Sequence, residues 1–294
     1  MLLLTEPKHP PRSGPPSAFY EPGRGNLLAE ALLARGHRVV MWWDHPVGPM
    51  VPADPGVVAL RSSHPVQLAR AEVFARMGVP VVNDPVAHRR ARDKLHQHEV
   101  LGAAGLLVPE TTGAGTATAR WHGNDLVVVK PRVGTSGRSV RRGRWGVMAP
   151  EVGPDDLVQR FVDAEVELRA TVVRSRYGSV PLVNWSRRRA APGDFRANLA
   201  QGGSMEEYGP VDPAVDEVAV AAVELLGLQV GVVDVLLTSS GPVILEVNAA
   251  TTLHGPTRVA TEHVVAAVCD VLVDESTPPG PGSGPTAVLA PGHP

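Results

Sequence analysis

Three patches of this 294-residue sequence carry side chains at spacings that can do chemistry. In the first, Lys130 closes an apolar run, Val127-Val128-Val129-Lys130-Pro131, and a loop of small residues comes next: Gly134-Thr135-Ser136-Gly137-Arg138-Ser139-Val140. Small residues let backbone N–H groups curl around phosphate oxygens, and a neighbouring lysine supplies charge. The same composition also suits an ordinary hairpin turn. It is not a Walker A loop, because no Gly-Lys-Ser/Thr opens a helix here, and the dinucleotide fingerprint does not fit either. The second patch is Gly231-Val232-Val233-Asp234-Val235 with Ile244-Leu245-Glu246-Val247-Asn248. Glu246 and Asn248 are two apart on a strand and share a face, and a hairpin brings Asp234 alongside them. Two carboxylates and an amide, all oxygen donors, suit Mg²⁺ or Mn²⁺ rather than zinc. Solvated strand faces are the plainer alternative. The third patch comprises Leu157-Val158-Gln159-Arg160-Phe161-Val162, Glu165-Val166-Glu167-Leu168-Arg169 and Asp194-Phe195-Arg196-Ala197-Asn198.

One economy of composition points to particular residues. Of 28 basic side chains only Lys8, Lys94 and Lys130 are lysines. Where a generic positive charge suffices, this chain uses arginine, so a retained lysine hints that a compact ammonium is wanted.

The elements that must position these residues can be read from periodicity. Residues 2–5, 38–43, 57–60 and 79–82 are short runs suited to strands. Residues 26–35 and 65–77 have helical spacing and stop at Gly36 and Gly78. This alternation predicts a small parallel-sheet α/β domain over residues 1–85. Beyond it, residues 91–104 read as a helix. Residues 126–129, 157–161, 166–173 and 180–185 read as strands. A helix over 213–226 carries Pro213 in its first turn and Gly227 after its end. Residues 231–237 and 243–247 pair as a hairpin around Ser239-Ser240-Gly241-Pro242, and 261–273 is an amphipathic helix, with Cys269 on its apolar stripe. From Glu275 the Pro/Gly-rich sequence predicts a disordered tail, 275–294.

Composition narrows the class. Hydrophobic residues make up 43% and charged residues 20%, as in a folded globular protein. The net charge of −2 gives no field for a polyanion, so a nucleic-acid binder is not expected. The arginine runs at 138–144 and 187–189 lack interleaved aromatics and read as solvated faces. A single cysteine excludes an internal disulfide and a thiol-rich zinc site. No apolar run approaches a membrane span and no signal peptide is evident, so a cytoplasmic enzyme is expected.

Taken in order, these pieces resemble the ATP-grasp superfamily, and within it the ribosomal-S6-modification-type (RimK-like) carboxylate–amine ligases. The resemblance runs from about residue 84 to 273. It implies an α/β ATP-grasp fold behind a small N-terminal parallel-sheet pre-domain, with the catalytic region over 86–274 and a lid over about 105–162. It implies ATP and two Mg²⁺ ions (or Mn²⁺) as cofactors. Lys94 and Lys130 match the two nucleotide lysines, and Gly134, Thr135, Ser136, Gly137 and Ser139 match the loop over the phosphates. Gln159, Arg160, Phe161 and Val162 match the segment that holds adenine largely through its backbone, and Glu167 matches the ribose contact. Asp234, Glu246 and Asn248 match the metal ligands. Arg196 and Asn198 match a pair near the phosphates, and Arg169 an arginine facing the carboxylate substrate. After Asn248 comes Ala-Ala-Thr-Thr-Leu-His-Gly in place of the family's Pro-Gly, which leaves the substrate undetermined.

A carboxylate must be activated before an amine can attack it at neutral pH. The implied reaction therefore forms an acyl phosphate and then an amide, releasing ADP and phosphate. Lys130, Arg169 and Arg196 are the expected catalytic side chains. The substrates expected are a small-molecule or peptide carboxylate and an amine in natural-product biosynthesis, joined between molecules or by ring closure. Dimers or tetramers are common in the family. The alternatives are a small-molecule kinase on the same fold and a nucleotide-binding protein without turnover.

Overall fold

The computed structural model describes residues 1–4, 26–42, 55–134, 139–176, 181–197, 199–250, 253 and 255–277. Four strands, β1 (Leu2–Leu4), β2 (Val40–Trp42), β3 (Val58–Leu60) and β4 (Val81–Val82), form a parallel sheet in the order β2-β1-β3-β4. Helices α1 (Leu27–Ala34) and α2 (Pro65–Arg76) connect them. A parallel sheet is buried on both faces, and the leucines divide accordingly. Leu2 joins Leu60, Leu68 and Phe74 under α2, whereas Leu3 packs with Leu28 and Leu32 of α1.

Helices α3 (Pro85–Ala91) and α4 (Lys94–Ala103) come next in the chain. Helical periodicity runs over residues 91–104, but the Asp93 side chain caps the amides of Leu95 and His96 and starts α4 afresh. A second sheet, antiparallel, is built from β5 (Thr111–Gly113), β6 (Leu126–Pro131), β7 (Arg141–Arg144) and β8 (Asp156–Arg160), in the order β5-β8-β6-β7. Helices α5 (Ala114–Arg120) and α6 (Trp145–Met148) cover it. Val127 and Val129 point into its core with Trp121 and Trp145, so Lys130 points to the opposite face.

The third sheet carries β9 (Val166–Val173), β10 (Leu182–Arg189), β11 (Ser204–Glu207), β12 (Val230–Thr238) and β13 (Gly241–Asn248) in the order β11-β10-β9-β12-β13. Leu168, Ala170, Val172, Val233 and Val235 bury one face against α7 (Pro213–Leu225). Alternation then sends Glu167, Arg169 and Asp234 to the other face. Gly231 permits the close approach, since a Cβ there would lie 2.8 Å from a Val223 methyl.

The last helix, α8 (Arg258–Ser276), packs on α1, on the first sheet and on β9 and β10 of the third, its buried stripe being Val264, Val268, Cys269 and Leu272. The expected division near residue 85 is thus crossed by the C-terminal helix. That helix also runs past the predicted tail boundary at 275: Glu275 is buried and accepts from Gln229 Nε2 at 2.6 Å. Residues 278–294 lie outside the described residues. Asn83 ties the first sheet to the third, accepting from the amides of Gln229 and Val230 and donating to the carbonyls of Val230 and Ala249. Among the described residues no helix is long and apolar enough to cross a membrane.

Candidate active site

The hairpin of β12 and β13 sets Asp234 directly opposite Glu246, with Asn248 opposite Val232. A bulge interrupts the ladder at once: Val235 pairs with Ile244, leaving Leu245 as the extra residue. Bulges re-aim side chains and recur beside functional sites. Two carboxylates and an amide therefore share one sheet face, as the spacing predicts.

On the neighbouring strand Arg169 is in register with Asp234 and grips it in a fork, Nε to Oδ1 and Nη2 to Oδ2, each 2.7 Å. The resemblance aims this arginine at a substrate carboxylate; its partner here is Asp234. Burial alone would raise the Asp234 carboxyl, but the Arg169 charge and hydrogen bonds, with Arg188 and Lys130, hold it below the ordinary range. Asp234 is thus ionised. Glu167 lacks such a fork: burial and the nearby Asp234 push it up to about 7, against the pull of Arg188 and Arg169.

Arg188 is a site residue that the sequence reading placed on a solvated face. It is buried, with Nη1 3.6 Å from both Glu167 Oε1 and Asp234 Oδ2. The signal was available in the strand period: with Trp185 in the core, a strand extended to residue 189 turns Arg188 to the opposite face. The flanking Arg187 and Arg189 pair with Glu206 instead.

The lysines come from two other elements. Lys94 opens α4, and its Nζ donates to the Gly134 carbonyl at 2.7 Å while lying 3.9 Å from Glu246 Oε1. Asp93, which caps α4, also holds Arg132 in a two-bond fork and so fixes the chain leaving β6. Lys130 is buried; desolvation lowers it to about 8, with Glu246 opposing the fall. Ser63, Arg92, Lys94, Gly134, Glu246 and Asn248 line a narrow cleft. A wider, open cleft between Arg90, His96, Arg174 and Leu225 holds none of the predicted residues.

Helix α4 also braces β13 by a route that the sequence did not reveal. Gln97 Oε1 accepts from the Val247 amide at 2.9 Å, and its Nε2 donates to the Val247 carbonyl at 2.8 Å and to Ala91 O. One side chain thus satisfies both backbone groups of the residue between Glu246 and Asn248. His98 Nε2 lies 3.1 Å from Leu245 O. Lys94, Gln97, His98 and Leu101 have the i, i+3, i+4, i+7 spacing of a single helix face.

In the expected adenine segment the side chains are taken up by protein partners. The Gln159 side chain is buried against Thr111 and His98, and Arg160 pairs with Glu110. The amides of Arg160 and Phe161 donate to Glu110 O and Leu126 O. Arg196 is held by Asp194, Nη2 to Oδ2 at 2.8 Å, and this pairing keeps the Asp194 carboxyl low. Ser139 adopts a φ of 60°, rare for a residue with a side chain, at the end of the glycine loop. Thr135, Ser136, Gly137 and Asn198 lie outside the described residues. Among the described residues no three His, Cys, Asp or Glu side chains form a metal cluster. The donor set is two carboxylates and an amide.

These sheets and this charged face define an ATP-grasp fold. The solved ATP-grasp ligase PsnB complexed with a minimal precursor has a TM-score of 0.67 at 18% identity, covering 93% of this chain and 98% of that one. The RimK domain ATP-grasp protein from Sphaerobacter thermophilus has a TM-score of 0.63 at 23% identity, covering 92% and 99%. The family model described as RimK-like ATP-grasp domain matches residues 91–271. A probable alpha-L-glutamate ligase of Hahella chejuensis is 30% identical over 219 residues, 69% of each chain. Its counterpart in Thioalkalivibrio sulfidiphilus is 34% identical over 220 residues, 70% of this chain and 71% of that one. The chain belongs to the RimK-like ATP-grasp family and is an ATP-dependent carboxylate–amine ligase.

Proposed function

We propose that this ligase activates an amino-acid or peptide carboxylate as an acyl phosphate and couples it to an amine in small-molecule or peptide biosynthesis. Curated relatives are named probable alpha-L-glutamate ligases, and the structural neighbour PsnB was solved with a precursor peptide. Both names fit a carboxylate on an amino acid or peptide. In the proposed step a carboxylate oxygen attacks the γ-phosphorus and ADP leaves. The amine then attacks the acyl carbon, and phosphate leaves with net loss of one proton.

The observation that carries this reading is the position of Lys94, between the Gly134 carbonyl that opens the small-residue loop and Glu246. Phosphate loop and oxygen-donor set converge on one ammonium. In this reading Lys94, Lys130 and the loop Gly134, Thr135, Ser136, Gly137 and Ser139 hold the phosphates. Gln159, Arg160, Phe161 and Val162 meet the base through their backbone, and Glu167 the ribose. Asp234, Glu246 and Asn248 form an all-oxygen set on one face, and Arg169 and Arg188 keep Asp234 in the ionised form a hard cation requires, so the residues fit Mg²⁺. Two Mg²⁺ ions bound there would neutralise triphosphate charge. Arg196 and Asn198 serve the phosphoryl end, and Arg169 can meet a carboxylate only by sharing or leaving Asp234. Residues 86–274 supply this machinery, 105–162 the lid, and 1–85 a wall of the substrate cleft through Ser63.

The test is isotope transfer. With Mg²⁺, ATP, an amine pool and ¹⁸O-carboxylate amino acids or peptides, one ¹⁸O should appear in the released phosphate. Product formed without label in phosphate would refute the acyl phosphate.

A further inference from the structure

Segments far apart in the chain meet at Arg142, on the edge strand β7. Its guanidinium carbon lies 4.8 Å from the centroid of the Phe161 ring and 4.8 Å from that of Phe195. The Arg196 guanidinium lies 6.0 Å from the same Phe195 ring. Contacts therefore run Phe161, Arg142, Phe195, Arg196. Each is a cation over an aromatic face, attracted by the ring quadrupole.

The neighbours of Arg142 on β7 point their charges elsewhere. Arg141 pairs with Glu151 at 2.6 Å, and Arg144 donates to Asn124 O at 3.2 Å. Among the described residues Arg142 makes no ion pair, so the two rings are its partners. Phe161 directly follows β8 of the second sheet, whereas Phe195 and Arg196 lie in the segment between β10 and β11 of the third. Asp194 accepts from the Arg196 backbone amide at 2.9 Å and from its guanidinium, which ties Asp194, Phe195 and Arg196 into one hydrogen-bonded turn. Whatever fixes Phe195 fixes Arg196.

We propose that Arg142 is a positioning residue: stacked on Phe161 and Phe195, it ties the second sheet to the third and sets Arg196 for the phosphoryl end of the nucleotide. This rests on the role proposed for Arg196 under the ligase reading. An arginine suits the task because its planar cation can lie on two rings, which an ammonium does less well.

The test uses the full chain and calorimetric titration with ADP or AMPPNP in the presence of Mg²⁺. Arg142→Leu should lower the melting temperature of the free protein by no more than about 2–4 °C, because the side chain is exposed. It should weaken AMPPNP binding about 5- to 30-fold, the loss of two exposed cation–π contacts, and ADP binding less. Phe195→Leu should match it, the double variant should lose no more than either single, and Arg142→Lys should recover part of the affinity. Unchanged AMPPNP affinity, equal losses for both nucleotides, or losses that multiply in the double variant would overturn the proposal. A fall in melting temperature that accounts for the binding loss would also overturn it. Failure of the wild-type chain to bind either nucleotide would refute the underlying site, and this proposal with it.

Discussion

Gln97→Leu is a near-isosteric change that removes three hydrogen bonds, two to the edge of β13 and one to Ala91 O. Two of them satisfy the amide and carbonyl of Val247, which is fully buried. Leaving a buried polar group without a partner costs roughly 1–3 kcal/mol, so the two groups together cost about 2–6 kcal/mol. The position matters as much as the size. Val247 separates Glu246 from Asn248, so a loosened backbone there displaces both oxygen donors at once. Denaturant unfolding should show the stability loss. A Mg²⁺ titration of nucleotide binding should show a rightward shift, with nucleotide affinity in the absence of Mg²⁺ nearly unchanged. A Gln97→Leu protein within about 0.5 kcal/mol of wild type in stability, with the same Mg²⁺ dependence, would refute the bracing role of α4.

The same geometry has other consequences. Burial holds His88 down to about 3 and His98 to about 4, so the unfolded chain binds more protons between those values and 6.5. Stability should therefore be full above pH 6.5 and fall on acidification, about 3 kcal/mol of it through His98; unfolding titrations of His98→Gln should show a shallower acid limb, and an identical limb would contradict this. Arg188→Met should cost about 3–5 kcal/mol by leaving Asp234 and Glu167 short of a counter-charge, and less at a pH below the raised value of Glu167, where that carboxyl is protonated; a pH-independent loss seen in denaturant melts would argue against that pairing. Glu246→Gln should reduce Mg²⁺-dependent ATP turnover at least about 100-fold, more than outer-shell changes do, and turnover near wild type would remove Glu246 from the site.

Much of the site was legible because it lies on alternating strands. Glu167, Arg169 and Asp234 interleave with Leu168, Ala170 and Val233, so periodicity alone gives their common face. The run 166–173 matches β9 at both ends. What stayed hidden depends on distant partners. Gln97 looks like a solvent-facing helical polar residue until β13 is set beside it. Arg188 sits in a run of three arginines whose strand was read only as far as Trp185. Strand β7, Arg-Arg-Gly-Arg, lacks β-forming composition, and β5, Thr-Thr-Gly, is too short to show an alternation; both exist because β6 and β8 offer them a ladder. The placement of α8 between α1, the first sheet and the third is a long-range packing choice that no local pattern encodes.

Acyl-phosphate ligation driven by ATP is tested most directly by turnover. The purified chain is given ATP, Mg²⁺ and a pool of amino-acid and peptide carboxylates, with hydroxylamine as the trapping amine. ADP, phosphate and a hydroxamate in equal amounts are predicted, and deconvoluting the pool then names the donor. AMP with pyrophosphate, or ADP with a phosphorylated alcohol and no hydroxamate, would contradict it.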